Sequence, residues 1–70
     1  MSAGLVTARV LFTREGAAAY LDVSPRTLDK YQANGRLVPR DLDGMKRFHR
    51  DDLDEFASRL PDWDPEKRPR

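Results

Sequence analysis

Residues 13–35, TREGAAAYLDVSPRTLDKYQANG, hold two short helical patterns with a tight break between them, and no other stretch limits the fold as strongly. The first pattern covers about residues 14–21. Thr13 is a good N-cap type, and Glu15 suits the positive end of the helix dipole. Ala17, Ala18, Tyr20 and Leu21 recur at helical spacing and can share a face. Asp22 tolerates the left-handed conformation that a sharp turn needs, and Val23, apolar within a polar turn, is expected to be buried. Ser24-Pro25 then starts a second helix, with Ser as N-cap and Pro at the first helical position. Leu28, Tyr31 and Gln32 fall on one face, and Gly35 stands where a left-handed C-terminal residue belongs.

The spacing of the small and apolar residues fits two helices crossing at a steep angle. Ala18 permits close approach, and Val23 and Leu28 close the wedge. This is the pattern of a helix-turn-helix, whose second helix is built to enter a DNA major groove. The run VSPRTLDKYQANGRL resembles the second helix of MerR-like and excisionase-type DNA-binding domains, and MKRFHRDDLDEFA resembles their wing and following helix. The resemblance spans residues 11–60 and rests on Ser-Pro-x-Thr-Leu, Gly-x-Leu, Lys-Arg-Phe and Asp-Leu-x-x-Phe in that order. It departs at Asp22, where Gly is usual, and at Asp29, an acid on the helix expected to meet DNA. The implied fold is mainly α with a small β-hairpin: a winged helix-turn-helix of three helices plus a two-stranded wing. Residues 1–10 are then a flexible or extended arm, 11–60 the DNA-binding domain, and 61–70 a charged, proline-containing tail.

The second helix is read as the DNA reader. With Leu28 and Tyr31 turned inward, Arg26, Lys30 and Ala33 face outward, flanked by Thr27, Asp29 and Asn34. Arg bonds guanine bidentately, whereas Lys bonds it less specifically or meets a phosphate. Ser24, Arg26, Thr27 and Lys30 form the expected contact set of this helix. Asp29 either accepts from cytosine N4 or pairs with Arg26 or another nearby basic residue. Thr13, Arg14 and the Tyr31 hydroxyl are placed as further phosphate contacts.

Residues 35–50 read as a hairpin. Asp43-Gly44 is a strong two-residue turn signal because both central positions need positive φ. It sets Leu42 opposite Met45, Asp41 opposite Lys46, and Arg40 opposite Arg47. Pro39 cannot donate to a ladder, so its strand is an edge. Facing arginines are unfavourable unless an anion lies between them, and a phosphate backbone or narrow minor groove supplies one. Arg40, Lys46 and Arg47 are therefore the expected wing contacts. Leu37 and Phe48 are expected to pack on the helices.

The third helix is expected over about residues 51–60. Leu53, Phe56, Ala57 and Leu60 make an apolar stripe, acids crowd its positive end, and Pro61 stops it. It reads as a core brace. Residues 5–12, LVTARVLF, read as extended, pairing with the wing of the same chain or with another copy, or forming a partly ordered arm. Residues 1–4 are expected to be disordered, and the tail irregular, with Trp63 either folded on the core or anchoring a partner.

Composition limits the function. Seventy residues make one small domain that buries about 60% of its unfolded surface. With no Cys there is neither disulfide nor thiolate metal site. No apolar run reaches the roughly 18 residues of a membrane span, and no signal peptide is evident, so a cytoplasmic, nucleoid-associated location in a bacterial host is expected. The net charge of +1 conceals a split: residues 1–50 carry nine Lys/Arg against five Asp/Glu, and residues 51–70 four against seven. A basic half coinciding with the paired helices is the footprint of nucleic-acid binding. One His, His49, and no nucleophile–base pair leave no catalytic residue, metal or cofactor to assign. His49 is expected to be exposed or phosphate-facing.

MerR-like regulators carry a long dimerisation helix and an effector domain, and the chain ends before either. The resemblance therefore implies an excisionase, or recombination directionality factor, of a bacteriophage or mobile element. Such a protein binds double-stranded attachment-site DNA beside copies of itself, bends it, and directs an integrase toward excision. A small MerR-like transcriptional regulator is the alternative. A protein-interaction module using Trp63 and residues 5–10 is a second.

Overall fold

The computed structural model describes residues 9–67, so the expectations for residues 1–8 and for the end of the tail, residues 68–70, lie outside it. Its elements are β1 (Leu11–Phe12), α1 (Arg14–Leu21), α2 (Pro25–Ala33), β2 (Arg40–Leu42), β3 (Met45–His49), α3 (Arg50–Ser58) and a 3₁₀ turn at Pro65–Lys67. Thr13 caps α1 by accepting from Gly16 N–H at 3.1 Å, and Ser24 caps α2 by accepting from Thr27 N–H at 3.1 Å. Both helices end in the same way. Asp22, at φ 60° and ψ 44°, lets its own N–H bond Ala19 O and that of Val23 bond Ala18 O. Gly35, at φ 80°, does the same for Gln32 O and, through Arg36, for Tyr31 O. In each case a left-handed residue turns the last carbonyls onto the following N–H groups.

The hairpin takes the expected register: Arg40 opposite Arg47, Asp41 opposite Lys46, Leu42 opposite Met45. Asp43 and Gly44 both have positive φ, and Asp41 Oδ1 accepts from Gly44 N–H at 2.6 Å. The sheet is larger than a two-stranded wing, however. β1 pairs antiparallel with β3, Leu11 against His49 and Phe12 against Phe48, giving the order β1-β3-β2. Leu11–Phe12, the end of the expected extended segment, thus join the sheet of their own chain, and β2, with Pro39 before it, is an edge.

Phe12, Ala17, Ala18, Leu28, Leu37, Phe48, Leu53 and Phe56 form the core, with Leu21, Val23 and Tyr31 packed against it. Each of the three helices and the sheet contributes, which fixes how α2 is presented. Val23 is half-buried rather than buried.

Three expectations are corrected. The third helix starts at Arg50 and ends at Ser58, with Arg59 as its C-cap. Leu60 N–H bonds Ala57 O in a tightened last turn, which carries Leu60 off the apolar face; it is 47% exposed, and Ala57 is exposed too. His49 is half-buried and plays a structural part, because its Nδ1 accepts from Asp51 N–H at 3.0 Å and caps α3. The tail is not wholly irregular, since it forms the 3₁₀ turn at Pro65–Lys67.

Candidate nucleic-acid interface

α2 turns Leu28 fully into the core and lays the Tyr31 ring 4.7 Å from that of Phe56. Residues on the opposite face must then meet solvent, because successive positions rotate about 100° around a helix. Arg26 and Lys30 occupy that face, four residues apart and exposed, and neither side chain has a partner among the described residues. Ser24 and Thr27 stand at its N-terminal end. Their hydroxyls bond each other at 3.0 Å while Ser24 Oγ caps the helix.

The wing is tied to this helix. Lys46 Nζ donates to Gln32 Oε1 at 3.1 Å, so the wing ammonium lies beside α2. On the same flank, Arg14 reaches from the start of α1 to Asp29 of α2. Its Nε and Nη2 donate to the two carboxylate oxygens at 2.9 and 2.8 Å, and Nη1 donates to Glu15 at 3.1 Å. The Arg14 guanidinium holds the Asp29 carboxyl below the usual carboxylate range, and the charge of Lys46 acts in the same direction. The same bond raises the pKa of Arg14. Of the two pairings left open for Asp29, the described side chains therefore contain the one with another basic residue, Arg14 and not Arg26.

The remaining expected site residues are placed differently. Arg40 stands opposite Arg47, yet its Nε and Nη2 donate to Asp52 of α3 at 2.9 and 3.1 Å. The anion near the facing arginines is therefore one of the chain's own carboxylates, and it raises the pKa of Arg40. Arg47 donates to the Lys46 carbonyl at 2.8 Å. Thr13 uses its hydroxyl oxygen as a cap. The Tyr31 ring packs on the core, with the Arg36 guanidinium 5.5 Å away and also 5.1 Å from the Phe56 ring. No motif in the sequence points to Arg36 itself. The one signal for it is the left-handed Gly35 before it, which turns the chain back across the end of α2.

The structure thus brings Arg26, Lys30, Ser24 and Thr27 onto one helix, with Lys46 and the Arg14–Asp29 pair along its flank. Arg40, on β2, is held apart by its bond to Asp52 of α3. Among the described residues no group of His, Asp and Glu is arranged to hold a metal ion, and no helix is long and apolar enough to cross a membrane.

A family model described as a helix-turn-helix domain matches residues 11–61, which takes in β1 through α3 and more than half of the chain. No curated protein and no solved structure matches the chain. Two helices joined by a left-handed turn, a second helix with an outward basic face, a small antiparallel sheet and this match agree, and the chain belongs to the helix-turn-helix domain family, a family of DNA-binding domains.

Proposed function

We propose that the protein binds double-stranded DNA with α2 in the major groove and acts as an excisionase-type architectural factor. The observation that carries the DNA reading is the exposed, unpartnered pair Arg26 and Lys30 on the outward face of α2, flanked by Lys46. In this reading Arg26 contacts guanine edges, and Lys30 contacts a base or a phosphate. Ser24 and Thr27 meet the backbone at the helix N-terminus, where hydroxyl and N–H groups commonly bond phosphate. Lys46 and Arg47 follow the wing along the adjoining groove, with Thr13 and Tyr31 in supporting positions, while Arg14 is held back because Asp29 already occupies its guanidinium. Arg40 contributes less, since Asp52 already occupies its guanidinium.

The excisionase reading is supported by the four motifs shared with excisionase-type domains and by the physics of a small module. One domain of this kind buries about 600–1,000 Å² and binds weakly alone. Bending a site costs on the order of 1–6 kcal/mol, which adjacent copies share. The protein would then set the direction of a recombination reaction catalysed by an integrase, with no chemistry of its own.

The test is electrophoretic mobility on attachment-site DNA from the same genome neighbourhood, at two salt concentrations. A ladder of salt-sensitive bands with altered bend, followed by stimulated excision when integrase is added, is the expected result. A shift on a nearby promoter alone would replace this role with transcriptional regulation. No shift on either DNA would overturn DNA binding and direct attention to Trp63.

A further inference from the structure

Asp29 is an acid on the helix that carries Arg26 and Lys30, and its neighbours account for it. Both carboxylate oxygens are taken by one guanidinium, Arg14 Nε at 2.9 Å and Nη2 at 2.8 Å, in a half-buried setting that bridges α1 and α2. Carboxylate and phosphate offer Arg the same bidentate geometry. A guanidinium engaged in this way by the protein is not engaged by a phosphate. Lys46, on the same flank, bonds Gln32 through its ammonium, and its charge acts on Asp29 in the same direction as Arg14.

We propose that Asp29 is a specificity-determining residue that acts through Arg14: it occupies the guanidinium as an internal substitute for phosphate and so holds down binding to non-preferred DNA. The inference rests on the proposed DNA reading. Phosphate contacts strengthen binding to all sequences alike, whereas base contacts distinguish them. Holding one cation off the backbone lowers the non-specific part and leaves the bases to Arg26 and Lys30. Asp29 is a positioning residue in this account, since it touches neither base nor phosphate.

The experiment uses the full chain, a duplex recovered by selection from a randomised pool, and a mixed-sequence duplex, each titrated across a range of salt. Asp29→Asn removes the charge but keeps the shape. Expected is tighter binding to the mixed-sequence duplex and a smaller preference for the selected one. The salt slope steepens by about 0.9, the value for one more phosphate contact, which is about threefold to fourfold more loss across a roughly fourfold rise in salt. In the Arg14→Ala background the same substitution should change the slope little, because the cation it releases is gone. A gain that persists in that background means simple removal of negative charge and overturns the proposal. So does a loss confined to one base pair, which would make Asp29 a base reader, and so does a change in thermal stability with no change in slope. Failure of the wild-type chain to bind any duplex, with no sequence recovered by selection, would instead remove the DNA reading itself.

Discussion

Arg40 stands directly opposite Arg47 across the wing, and it resolves the like-charge conflict by turning to Asp52 at the start of α3. The bond is a two-point one, at 2.9 and 3.1 Å, so it clips the edge strand β2 to the helix that braces the core. Arg40→Ala and Asp52→Ala should each lower the melting temperature slightly and by similar amounts, since each removes the same exposed ion pair. The double variant should melt no lower than the singles, because contacting residues are not additive. Thermal denaturation of the four proteins checks this. Additive losses would mean that the two side chains act independently.

Asp22 ends α1 at φ 60°, where glycine is the usual residue. A left-handed L-residue costs roughly 1–2 kcal/mol, and Asp is among the cheapest to place there. Glycine relieves that strain but gives the unfolded chain more freedom, at about 0.5–1 kcal/mol. Asp22→Gly should therefore be close to neutral. Asp22→Val, with a β-branched side chain, should cost about 1–2 kcal/mol, equivalent to a fall of roughly 4–8 °C per kcal/mol for a domain of this size. Melting curves decide. Equal losses for Gly and Val would place the importance of Asp22 in its carboxylate and not in its backbone.

Two ionisable groups give the stability curve its expected shape at either end of the pH scale. Asp29 is held below the ordinary carboxylate range by Arg14. Its contribution is complete above its unfolded pKa, about 3.9, and is lost as pH falls through the lower folded value. Tyr20 donates to Asp54 at 2.5 Å, and this bond raises its pKa. Its contribution is complete below its unfolded pKa, about 10, and is lost as pH rises through the higher folded value. Urea unfolding across pH should show Asp29→Asn flattening the acid limb alone and Tyr20→Phe the alkaline limb alone. An acid limb unchanged in Asp29→Asn would mean that the pair with Arg14 does not persist in solution.

Local signals carried most of the fold. Thr13, Ser24-Pro25, Gly35 and Asp43-Gly44 each act within a few residues of themselves, and each sits where its chemistry requires. The register of the wing followed from the turn alone. What was not legible depends on distant partners. β1 needed β3 to show that a stretch of apolar residues ends as two strand residues on the sheet. The capping role of His49 needed the join between β3 and α3, since His is not a favoured N-cap type. Arg14–Asp29 and Arg40–Asp52 join residues 15 and 12 positions apart, and no periodicity within one helix or strand reports such pairs. Leu60 failed for a local reason, since the stripe that includes it is continuous in sequence but the helix is not.

The proposed division between helix and wing makes the sharpest prediction. Arg26 is exposed and unpartnered, so it can reach a base edge with its full bidentate geometry. Arg26→Ala should weaken binding to the selected duplex by about 1–3 kcal/mol and relax preference at one position, with little effect on mixed-sequence DNA. Lys46 lies on the wing and bonds only a neutral amide, which leaves its charge for a phosphate. Lys46→Ala should weaken both duplexes by a similar factor and reduce the salt slope by about 1. Arg40→Ala should leave that slope unchanged, because Asp52 already occupies the guanidinium. Fluorescence anisotropy titrations of the three variants at several salt concentrations separate these outcomes. Arg26→Ala weakening both duplexes alike, with Lys46→Ala relaxing preference, would exchange the roles of helix and wing. A slope reduced in Arg40→Ala as much as in Lys46→Ala would mean that DNA displaces Asp52 and takes Arg40 into the interface.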